Sequence, residues 1–497
     1  MASAPTLLQF EQLAKEYNLI PVHRRLLADS LTPVSAFHRL DDGHSSGCLF
    51  ESVIGGEKVG RYSFIATRPE KRIAAWGNRL VVQEGNHQHE QTVDDPLDFF
   101  RQQLRSFRVP SHPDLPPFIG GAVGYAAYDV VRYVEQLDSP PPDDRHLPDL
   151  DFSFFHELVV FDNVTKTLIV VVLVQPDKYA SPSAAYDDAE KRIDLIVESL
   201  NCNDKVLQPA EVNLNSLKPL QVRSNFTQSQ FEDAVRTCTE YIRAGDIFQV
   251  VVSQRMEVET NSNPLEIYRS LRVINPSPFM FFLRTPDTTL VGASPEVMCR
   301  VLDGRVTVRP LAGTRRRGQT EDEDRQLAQE LLADPKERAE HVMLVDLGRN
   351  DVGRVAQFGS VRLSDIMTIE RYSHVMHISS NVDGQLRPEL DAIDALKACL
   401  PAGTVSGAPK VRAMQILDEI EPTRRGPYAG AVGYFDYGGN MDTCIALRTM
   451  VVTPGKVYIQ AGAGIVADSD PTSEYQETLN KSKAMLKAVE LTETRLK

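Results

Sequence analysis

The order in which strand-like and helix-like segments follow one another limits the possible folds of this chain more than any other feature. From about residue 20 to residue 175, short apolar runs alternate with turn residues, which predicts mostly strands. After residue 226, further strands are mixed with amphipathic helices, without a regular strand–helix–strand repeat. The pattern therefore predicts an α+β fold and argues against a doubly wound parallel sheet.

The segment between these two parts differs from both. Asp187–Leu200 has the periodicity of a helix, whereas residues 201–224 have none and contain Asn, Pro and Ser, which is typical of a linker. The sequence thus predicts three parts: an N-terminal region of residues 18–175, a helix and linker of residues 176–225, and a C-terminal region of residues 226–488.

The charge and the cysteines argue against several classes of protein. The formal net charge of the 497 residues is −14, which argues against binding of nucleic acid or anionic lipid. Six scattered cysteines without a Cys-x-x-Cys pair argue against a zinc site and indicate a reducing compartment. The longest apolar run, Leu168–Val174, is too short to span a membrane, and Met1–Tyr17 lacks the basic start of a signal peptide. We therefore expect a cytoplasmic protein, in which an anionic substrate needs a local cation.

Two helical segments carry closely spaced acidic residues. In the first, Asp334 is a good N-cap, Pro335 suits the first helical position, and Gly348 is expected to end the helix. Glu337 and Glu340 are three residues apart, so their carboxylates lie on one face of an otherwise apolar helix. This arrangement indicates a bound cation, although a solvated charged face would give the same spacing.

The second acidic helix begins at Ser473 and repeats this spacing with Glu474 and Glu477, one turn before Lys481. Oxygen ligands from two helices, completed by water and a substrate carboxylate, suit Mg²⁺. The alternative for Glu477 and Lys481 is a surface ion pair, which contributes only a few tenths of a kcal/mol.

Three further segments could bind an anion. Pro401–Lys410 leads from a loop into a helix, and its glycines and Thr404 offer donors, unless it is an ordinary capped turn; the ending of a nucleotide-binding loop is absent. The glycines of Ala461–Ile465, after the predicted strand Val457–Gln460, allow a ligand to approach the backbone. Arg448 interrupts an apolar segment interpreted as a strand, and needs either a bidentate substrate carboxylate or a structural salt bridge.

Seven short motifs occur together in a fixed order. They are Ala293-Ser-Pro-Glu296, Leu311-Ala-Gly-Thr-Arg-Arg-Arg-Gly318, Glu340-His-Val-Met-Leu-Val-Asp-Leu-Gly-Arg-Asn-Asp351, Met376-His-Ile-Ser379, Gly407-Ala-Pro-Lys410, Ala461-Gly-Ala-Gly464 and Glu474-x-x-Glu-x-x-x-Lys481. The ordered set resembles the chorismate-utilising enzymes, and most nearly the large subunits of anthranilate synthase, component I. The resemblance is dense over residues 226–488 and reaches the N-terminal region through Leu49-Phe-Glu-Ser-Val53 and Arg61-Tyr-Ser-Phe-Ile65. It implies a composite two-layer β-sandwich with surrounding helices.

The resemblance also implies a site for Mg²⁺ and chorismate. Mg²⁺ would be held by Glu340 and Glu477, with Glu337 and Glu474 close by or acting through water. One chorismate carboxylate would bind the metal. The residues implied for the other carboxylate are Arg448, Tyr428 and the backbone of Gly462, Ala463 and Gly464. Those implied for the ring and its substituents are Gly313, Thr314 and Thr404, and Lys481 adds positive charge.

The reaction is implied by the same resemblance. Ammonia adds at ring carbon C2 while the C4 hydroxyl leaves, and elimination of pyruvate then gives anthranilate. Glu296 stands where the family places the general acid for the leaving hydroxyl. His377, rather than His374, matches the family's active-site histidine, with a role in the elimination or in orienting a carboxylate. Mg²⁺ would withdraw electron density through the ring carboxylate.

Two positions distinguish activities within the family. Isochorismate and salicylate synthases place a water-activating lysine where Gln249 stands, and an amide cannot act as that base. Aminodeoxychorismate synthases carry a nucleophilic lysine where Ala312 stands. Both positions favour an ammonia-dependent, ortho-aminating anthranilate synthase. The alternatives are an aminodeoxychorismate synthase large subunit and a non-catalytic tryptophan-sensing homologue.

Partners and regulation also follow from the resemblance. No Gly-x-Cys-x-Gly-Gln nucleophile turn is present, so we expect a separate glutamine amidotransferase subunit to supply ammonia within a hetero-oligomer. Glu51 and Ser52 match a tryptophan feedback site, with Glu51 pairing the ligand's ammonium, unless this segment is simply a core strand. The residues expected to pack the indole are Pro278, Phe279 and Met280. The family usually has Tyr at the position of Phe279, so one hydrogen bond to the inhibitor is absent.

Overall fold

The computed structural model of the chain describes residues 3–52, 60–202, 204–214, 217, 219–372 and 375–495. These residues form two antiparallel sheets of twelve strands each, surrounded by helices. The α+β class predicted from the order of segments is therefore confirmed. No helix of this part of the chain is both long and apolar enough to cross a bilayer.

The strands of the two sheets come from distant parts of the chain. In spatial order, the first sheet consists of β1 (Ile20–Leu27), β10 (Thr167–Val174), β9 (Glu157–Asp162), β3 (Tyr62–Thr67), β2 (Gly47–Glu51), β13 (Phe279–Arg284), β14 (Thr289–Ser294), β23 (Thr449–Thr453), β24 (Lys456–Ile465), β12 (Gln249–Glu259) and β11 (Val222–Ser224), with β20 (Gly407–Ala408) paired to β12. The second sheet consists, likewise in spatial order, of β17 (Leu311–Arg316), β19 (Val375–Gln385), β16 (Arg305–Val308), β15 (Val297–Leu302), β22 (Met441–Ile445), β21 (Ala431–Asp436), β7 (Gly121–Ala126), β8 (Leu150–Phe155), β4 (Lys71–Trp76), β5 (Arg79–Glu84) and β6 (His87–Thr92), with β18 (Arg362–Arg371) paired to β19.

The helices of the described residues lie around the two sheets. They are α1 (Leu7–Leu13), α2 (Pro33–Leu40), α3 (Pro96–Arg105), α4 (Pro182–Asn201), α5 (Gln228–Ala244), α6 (Pro264–Ile274), α7 (Glu321–Ala333), α8 (Pro335–Gly353), α9 (Ala392–Cys399), α10 (Lys410–Ile420) and α11 (Pro471–Arg495). Short 3₁₀ segments occur at Tyr128–Tyr133, Pro176–Lys178 and Gly403–Val405.

The two sheets pack face to face through a shared apolar core. Leu158 and Phe281 from the first sheet belong to the same buried cluster as Tyr125 and Val432 from the second. Helices cover the outer faces: α4, α6 and α11 contribute to the core on the first sheet, and α3 and α9 to the core on the second. The burial of apolar side chains on both sides of each sheet produces the two-layer sandwich.

The N-terminal and C-terminal regions are interleaved in both sheets. In the first sheet, β2 from the N-terminal region pairs with β13, and in the second, β7 pairs with β21. Both parts of the chain therefore complete one another's sheets, and the division at residues 175 and 225 remains a prediction about function. The predicted linker also contains a strand, because Val222–Ser224 pairs with residues 256–258 of β12.

The first acidic helix starts as predicted and ends later. The carboxylate of Asp334 accepts hydrogen bonds from the backbone N–H groups of Lys336 and Glu337, which caps α8. The helix then continues through Gly348 to Gly353, so the predicted stop is wrong. A Cβ at residue 348 would lie 3.0 Å from a methyl group of Val308 in β16. Glycine at this position therefore allows the helix to lie close to the sheet.

Candidate active site

The two acidic helices converge at their N-terminal turns. Burial raises the pKa of Glu340 on α8, and the negative charges of Glu337 and of Glu477 on α11 raise it further. Burial and the charge of Glu477 likewise raise the pKa of Glu474. Residues that are far apart in sequence thus place four carboxylates within one another's electrostatic field.

Two of these four acids already have a cationic partner. Glu477 forms an ion pair of 2.7 Å with Lys481, the alternative that the spacing on α11 left open, and both side chains are about half exposed. Glu337 forms an ion pair of 2.9 Å with Arg315. Neither Glu340 nor Glu474 forms an ion pair with any of the described residues, and the charges of Lys336 and Lys481 only partly offset the repulsion between these acids and Glu477.

These carboxylates fit a divalent cation that keeps most of its ligands outside the protein. Within the described ranges, no group of three or more His, Cys, Asp or Glu side chains is arranged to hold a metal ion by itself. Mg²⁺ is commonly bound by one or two carboxylates, with water and substrate oxygens completing the octahedron. Glu340 and Glu477, one from each helix, are suited to that role.

A buried carboxylic acid lies on the other side of the site. Glu296 follows β14, is 6% exposed, and its backbone carbonyl accepts a hydrogen bond from the N–H of Ile445. Burial raises the pKa of its carboxyl to about 8, against smaller lowering effects of the Thr404 hydroxyl, the Leu311 N–H group and Lys481. The group is therefore mostly protonated at neutral pH and can donate a proton.

Two buried polar atoms near this acid lack a hydrogen bond of normal geometry. They are Oγ1 of Thr404, in the 3₁₀ segment Gly403–Val405, and Oε1 of Gln249, at the start of β12. An unsatisfied buried polar atom costs about 1–3 kcal/mol, so native structures rarely retain one without a reason. Oε1 of Gln249 is therefore available to a ligand, whereas the Thr404 hydroxyl also lies close enough to the Glu296 carboxyl to lower its pKa.

A bulge in β17 brings the predicted histidine beside Gly313 and Thr314. The register between β17 and β19 shifts after Ala312, and Gly313 has φ 65° there, which glycine adopts readily. Nδ1 of His377 on β19 lies 2.8 Å from the carbonyl oxygen of Gly313, and 3.1 Å from the Thr314 hydroxyl. Because a carbonyl only accepts, Nδ1 carries the proton and Nε2 is the free acceptor. Burial lowers the pKa of His377 to about 4, so the ring is neutral.

Arg448 is a cation of this site that forms no ion pair with the described residues. The structure places it between β22 and β23 with φ 48°, so its interpretation as a strand residue is wrong. Burial lowers the pKa of its guanidinium, and no carboxylate of the described residues pairs with it. The structural salt bridge considered from the sequence is therefore absent from this part of the chain, and an anionic ligand remains the natural partner.

The glycine-rich motif lies inside β24 rather than after a strand. The strand continues to Ile465, and its pairing with β23 ends at Ile459, so Gly462, Ala463 and Gly464 have β12 on one side only. A Cβ at residue 462 would lie 3.0 Å from the Tyr428 hydroxyl, and one at residue 464 would lie 2.7 Å from Nε2 of Gln249. The glycines thus make room for both side chains and leave an open backbone edge.

Lys481 connects the acidic helices to this strand. Its Nζ donates a hydrogen bond of 3.0 Å to the carbonyl oxygen of Gly462, and its positive charge lowers the pKa of Glu296 and of His377. Lys481 therefore lies within electrostatic reach of the predicted acid, the predicted histidine and the predicted metal ligand Glu340. Arg315, which pairs with Glu337, and the Leu311 N–H group were missed, although both belong to one of the seven motifs. His374, the other histidine considered, lies outside the described residues.

A separate cavity of about 100 Å³ corresponds to the predicted tryptophan site. All five predicted residues line it: Glu51, Ser52, Pro278, Phe279 and Met280. Residues from both sheets that sequence reasoning missed complete it: Tyr62, Phe64, Arg300, Tyr434 and Asp442. Tyr62 and Phe64 lie in the second N-terminal motif, on β3 beside β2. Arg300, Tyr434 and Asp442 have no local sequence signal, because they belong to the other sheet and meet these residues only across the sandwich. Val53, the last residue of the motif, lies outside the described residues.

The predicted ammonium acceptor in this cavity, Glu51, already accepts three hydrogen bonds from the protein. The Glu51 carboxylate accepts hydrogen bonds from the Tyr268 hydroxyl (2.6 Å) and from Nε and Nη2 of Arg272 (2.9 Å each). Asp442 pairs with Arg300 through Oδ2, while its buried Oδ1 has no hydrogen bond. Asp442 is therefore the acid in this cavity with an available acceptor.

Comparison of the sequence with known proteins assigns the chain to a protein family. The model of the chorismate binding enzyme family matches residues 50–487. The chain belongs to this family. Two relatives named anthranilate synthase component 1 match nearly the whole length: the Acetivibrio thermocellus protein is 47% identical over 98% of both chains, and the Pseudomonas putida protein 48% identical over 96% of both.

Solved structures of chorismate binding enzymes agree with this assignment. Anthranilate synthase component I from Streptococcus pneumoniae superposes with a TM-score of 0.76 at 39% identity, covering 93% of this chain and 99% of that one. A menaquinone-specific isochorismate synthase from Escherichia coli superposes with a TM-score of 0.70 at 18% identity, covering 97% and 98%. The second match shows the shared fold alone, so the choice of activity depends on individual site residues.

Proposed function

We propose that this chain is the chorismate-using component of an anthranilate synthase, a lyase that converts chorismate and ammonia to anthranilate and pyruvate. The names of relatives that are 47–48% identical over nearly the whole chain support this activity. The observation that carries the chemistry is a buried, protonated Glu296 in the same site as a partly buried Arg448 that has no carboxylate partner among the described residues. The pair supplies a proton for a leaving hydroxyl and a partner for a carboxylate.

Binding of a dianion requires local positive charge in an acidic protein. Arg448 would receive one chorismate carboxylate, with the Tyr428 hydroxyl and the open backbone edge of β24 as further donors. Glu340 and Glu477 would hold Mg²⁺, which when bound polarises the ring carboxylate. Lys481 adds a positive charge between the two groups.

In the first step, the nitrogen of ammonia forms a bond to ring carbon C2, the ring double bonds shift, and the C4–O bond breaks. Glu296 donates its proton to the departing hydroxyl, which leaves as water. The added amine loses one proton, so the products are aminodeoxyisochorismate and water. An acid held protonated by burial is suited to this step, because it combines an available proton with a pKa near neutral pH.

In the second step, the C2 proton is removed and the bond between ring carbon C3 and the enolpyruvyl oxygen breaks, which leaves the aromatic ring of anthranilate. A proton returns to the methylene carbon of the released enolpyruvate, which becomes pyruvate. His377 is neutral, and Nδ1–H is directed to the Gly313 carbonyl, so Nε2 can accept a hydrogen bond or a proton. The role of His377 as the base of this step can be tested separately from the role of Glu296. A variant that lacks the His377 side chain should accumulate aminodeoxyisochorismate.

Ammonia is favoured as the nucleophile because residues 249 and 312 are not lysines. Gln249 is buried and neutral, so it cannot deprotonate water for an isochorismate synthase reaction. Ala312 is buried where a covalent adduct at C2 would need an amine. Free ammonia therefore remains the nucleophile, and the amine stays ortho to the carboxylate.

Ammonia, localisation and regulation complete the proposal. The relatives are named as one component of a synthase, which supports a second component, a glutamine amidotransferase that supplies ammonia in a hetero-oligomer. Six free cysteines support a reducing, cytoplasmic setting. The cavity between the sheets would bind tryptophan as a feedback inhibitor, with aromatic walls for the indole and Asp442 as an ammonium acceptor.

A single assay tests the activity. The purified chain is incubated with chorismate, an ammonium salt and Mg²⁺, and the product is followed by the fluorescence of anthranilate. We expect turnover without the second component. Formation of an aminodeoxychorismate or isochorismate product, or no turnover, would contradict the proposal.

A further inference from the structure

A buried ion pair next to the site has no part in the chemistry described above. Arg425 and Glu421 follow α10, and their side chains are only 2% and 4% exposed. Nε of Arg425 donates to Oε2 of Glu421 at 2.8 Å, and Nη2 donates to Oε1 at 2.6 Å. The cost of removing both charges from water often cancels the attraction of such a pair, so net stability alone is a weak reason for it.

The remaining donors of the Arg425 guanidinium hold two backbone segments that carry site residues. Nη1 donates to the carbonyl oxygen of Val405 at 2.7 Å, and Nη2 donates to that of Val251, also at 2.7 Å. Val405 directly follows Thr404 in the same 3₁₀ segment, and Val251 lies two residues after Gln249 in β12. One guanidinium therefore joins the segments that contain the two unsatisfied polar atoms.

The Glu421 carboxylate extends the connection to the strand with the glycines. Oε1 accepts hydrogen bonds from the backbone N–H of Ser253 (2.8 Å) and from its hydroxyl (2.7 Å). That hydroxyl accepts a hydrogen bond of 2.9 Å from Nε2 of Gln460, two residues before Gly462. β12 and β24 are thus fixed to the pair near the ligand-facing end of both strands.

The guanidinium also supports a residue predicted to contact substrate. It lies over the ring of Tyr128 at 4.6 Å and near the ring of Tyr428 at 5.7 Å, within the range of cation–π contacts. The Tyr428 hydroxyl faces the backbone of Gly462. The orientation of Tyr428 therefore depends on the same cation.

We propose that Arg425 and Glu421 are positioning residues, which fix Thr404, Gln249 and Tyr428 relative to one another and act on the reaction only through them. This inference rests on the proposed function. The planar fork of arginine fits two carbonyl oxygens and a carboxylate at once, whereas lysine provides a single point charge. Arg425→Lys keeps the charge and loses this fixed geometry, so it is the variant that separates positioning from charge.

A second buried arginine that forms a bidentate ion pair with a carboxylate provides a matched control for Arg425→Lys. Arg72 donates from Nε and Nη2 to Asp151 at 2.8 and 2.7 Å, and these side chains are 8% and 0% exposed. Arg72 lies in β4 and touches none of the site residues. Arg72→Lys should therefore reproduce the general cost of this substitution without moving Thr404 or Gln249.

The test measures kcat and the chorismate KM of wild type, Arg425→Lys and Arg72→Lys, each checked for folding by circular dichroism. We expect Arg425→Lys to lower kcat about 10- to 100-fold with KM changed less than about threefold, and Arg72→Lys to leave kcat within about twofold. In a Thr404→Ala background, Arg425→Lys should cost less than in wild type, because the part of its effect that acts through Thr404 is already lost. Equal losses in the two backgrounds, or a similar kcat loss for Arg72→Lys, would overturn the proposal.

A second readout does not depend on turnover. The N–H of Val251 is bonded to the carbonyl of Ser406, so amide exchange over residues 249–253 and 403–406 reports the fixed geometry. Arg425→Lys, or Glu421→Gln if the first variant does not fold, should speed exchange there, and Arg72→Lys should not. Unchanged exchange would refute positioning. Absence of anthranilate from wild type would instead contradict the proposed function alone.

Discussion

Raising the pH should switch off the first chemical step through Glu296. Burial raises the pKa of this carboxyl to about 8, so at neutral pH it holds the proton that the leaving hydroxyl requires. Deprotonation removes this donor and places a negative charge beside a dianionic substrate. Glu296→Gln is the matched substitution, because it keeps the shape of the side chain and cannot transfer a proton.

The size of the effect follows from the pKa of about 8. Such a carboxyl is about 90% protonated at pH 7 and about 10% at pH 9, so kcat/KM for chorismate, which reports the pKa of the free enzyme, should fall roughly tenfold between these values. Its folded-state pKa lies above the ordinary value of 4.5, so the stability due to the protonated form is complete below about pH 4.5 and is lost as the pH rises to about 8. Linkage gives about 1.4 kcal/mol per unit, an upper limit of roughly 5 kcal/mol.

Two measurements check this prediction. The first is kcat/KM for chorismate of wild type from about pH 6 to about pH 9.5, at saturating Mg²⁺ and at a constant concentration of unprotonated ammonia. The second is the urea unfolding of wild type and Glu296→Gln at about pH 5 and about pH 8, where the variant should gain relative stability with increasing pH.

Either of two outcomes would contradict the role of Glu296 as the acid. A wild-type kcat/KM for chorismate that stays level from about pH 7 to about pH 9 would mean that Glu296 does not titrate in this range. A Glu296→Gln variant that keeps more than about a tenth of the wild-type kcat would mean that another group supplies the proton, since general acids typically contribute 10²- to 10⁴-fold.

Four further substitutions have defined outcomes. Arg448→Lys replaces a bidentate donor and should lower kcat/KM for chorismate about 30-fold in steady-state assays. Glu340→Gln should abolish the activity at any Mg²⁺ concentration. Its thermal unfolding midpoint should stay equal or rise, because the repulsion between neighbouring carboxylates is reduced. Gly462→Ala would place a Cβ 3.0 Å from the Tyr428 hydroxyl and should raise the chorismate KM about tenfold or more. Asp442→Asn should weaken tryptophan inhibition about tenfold in a titration, with kcat unchanged.

The parts of the site that follow helical spacing could be predicted from the sequence. Glu337 and Glu340 lie on one face of α8 because residues three apart always do, and the same holds for Glu474 and Glu477 on α11. The convergence of the two helices was implied only by resemblance, since no local pattern in either helix refers to the other.

The predictions about structure that were wrong concern residues whose conformation depends on contacts between distant segments. Gly348 has the sequence context of a helix end, but its role is set by Val308 from another strand. Arg448 lies among apolar residues that suit a strand, yet the chain turns there with positive φ. The contacts of Glu51 with Tyr268 and Arg272 could not be predicted either, because these residues lie on α6, at separations of 217 and 221 residues; pairing of Glu51 with an ammonium group stays a prediction.

The reaction proposed for this chain adds ammonia at C2 of chorismate and then eliminates pyruvate. The most direct measurement is an NMR and mass analysis of the product formed from chorismate and ¹⁵N-labelled ammonium by the purified chain with Mg²⁺. We expect anthranilate with one ¹⁵N atom ortho to the carboxylate, together with one equivalent of pyruvate. A para-amino product, or isochorismate without nitrogen, would contradict this reaction.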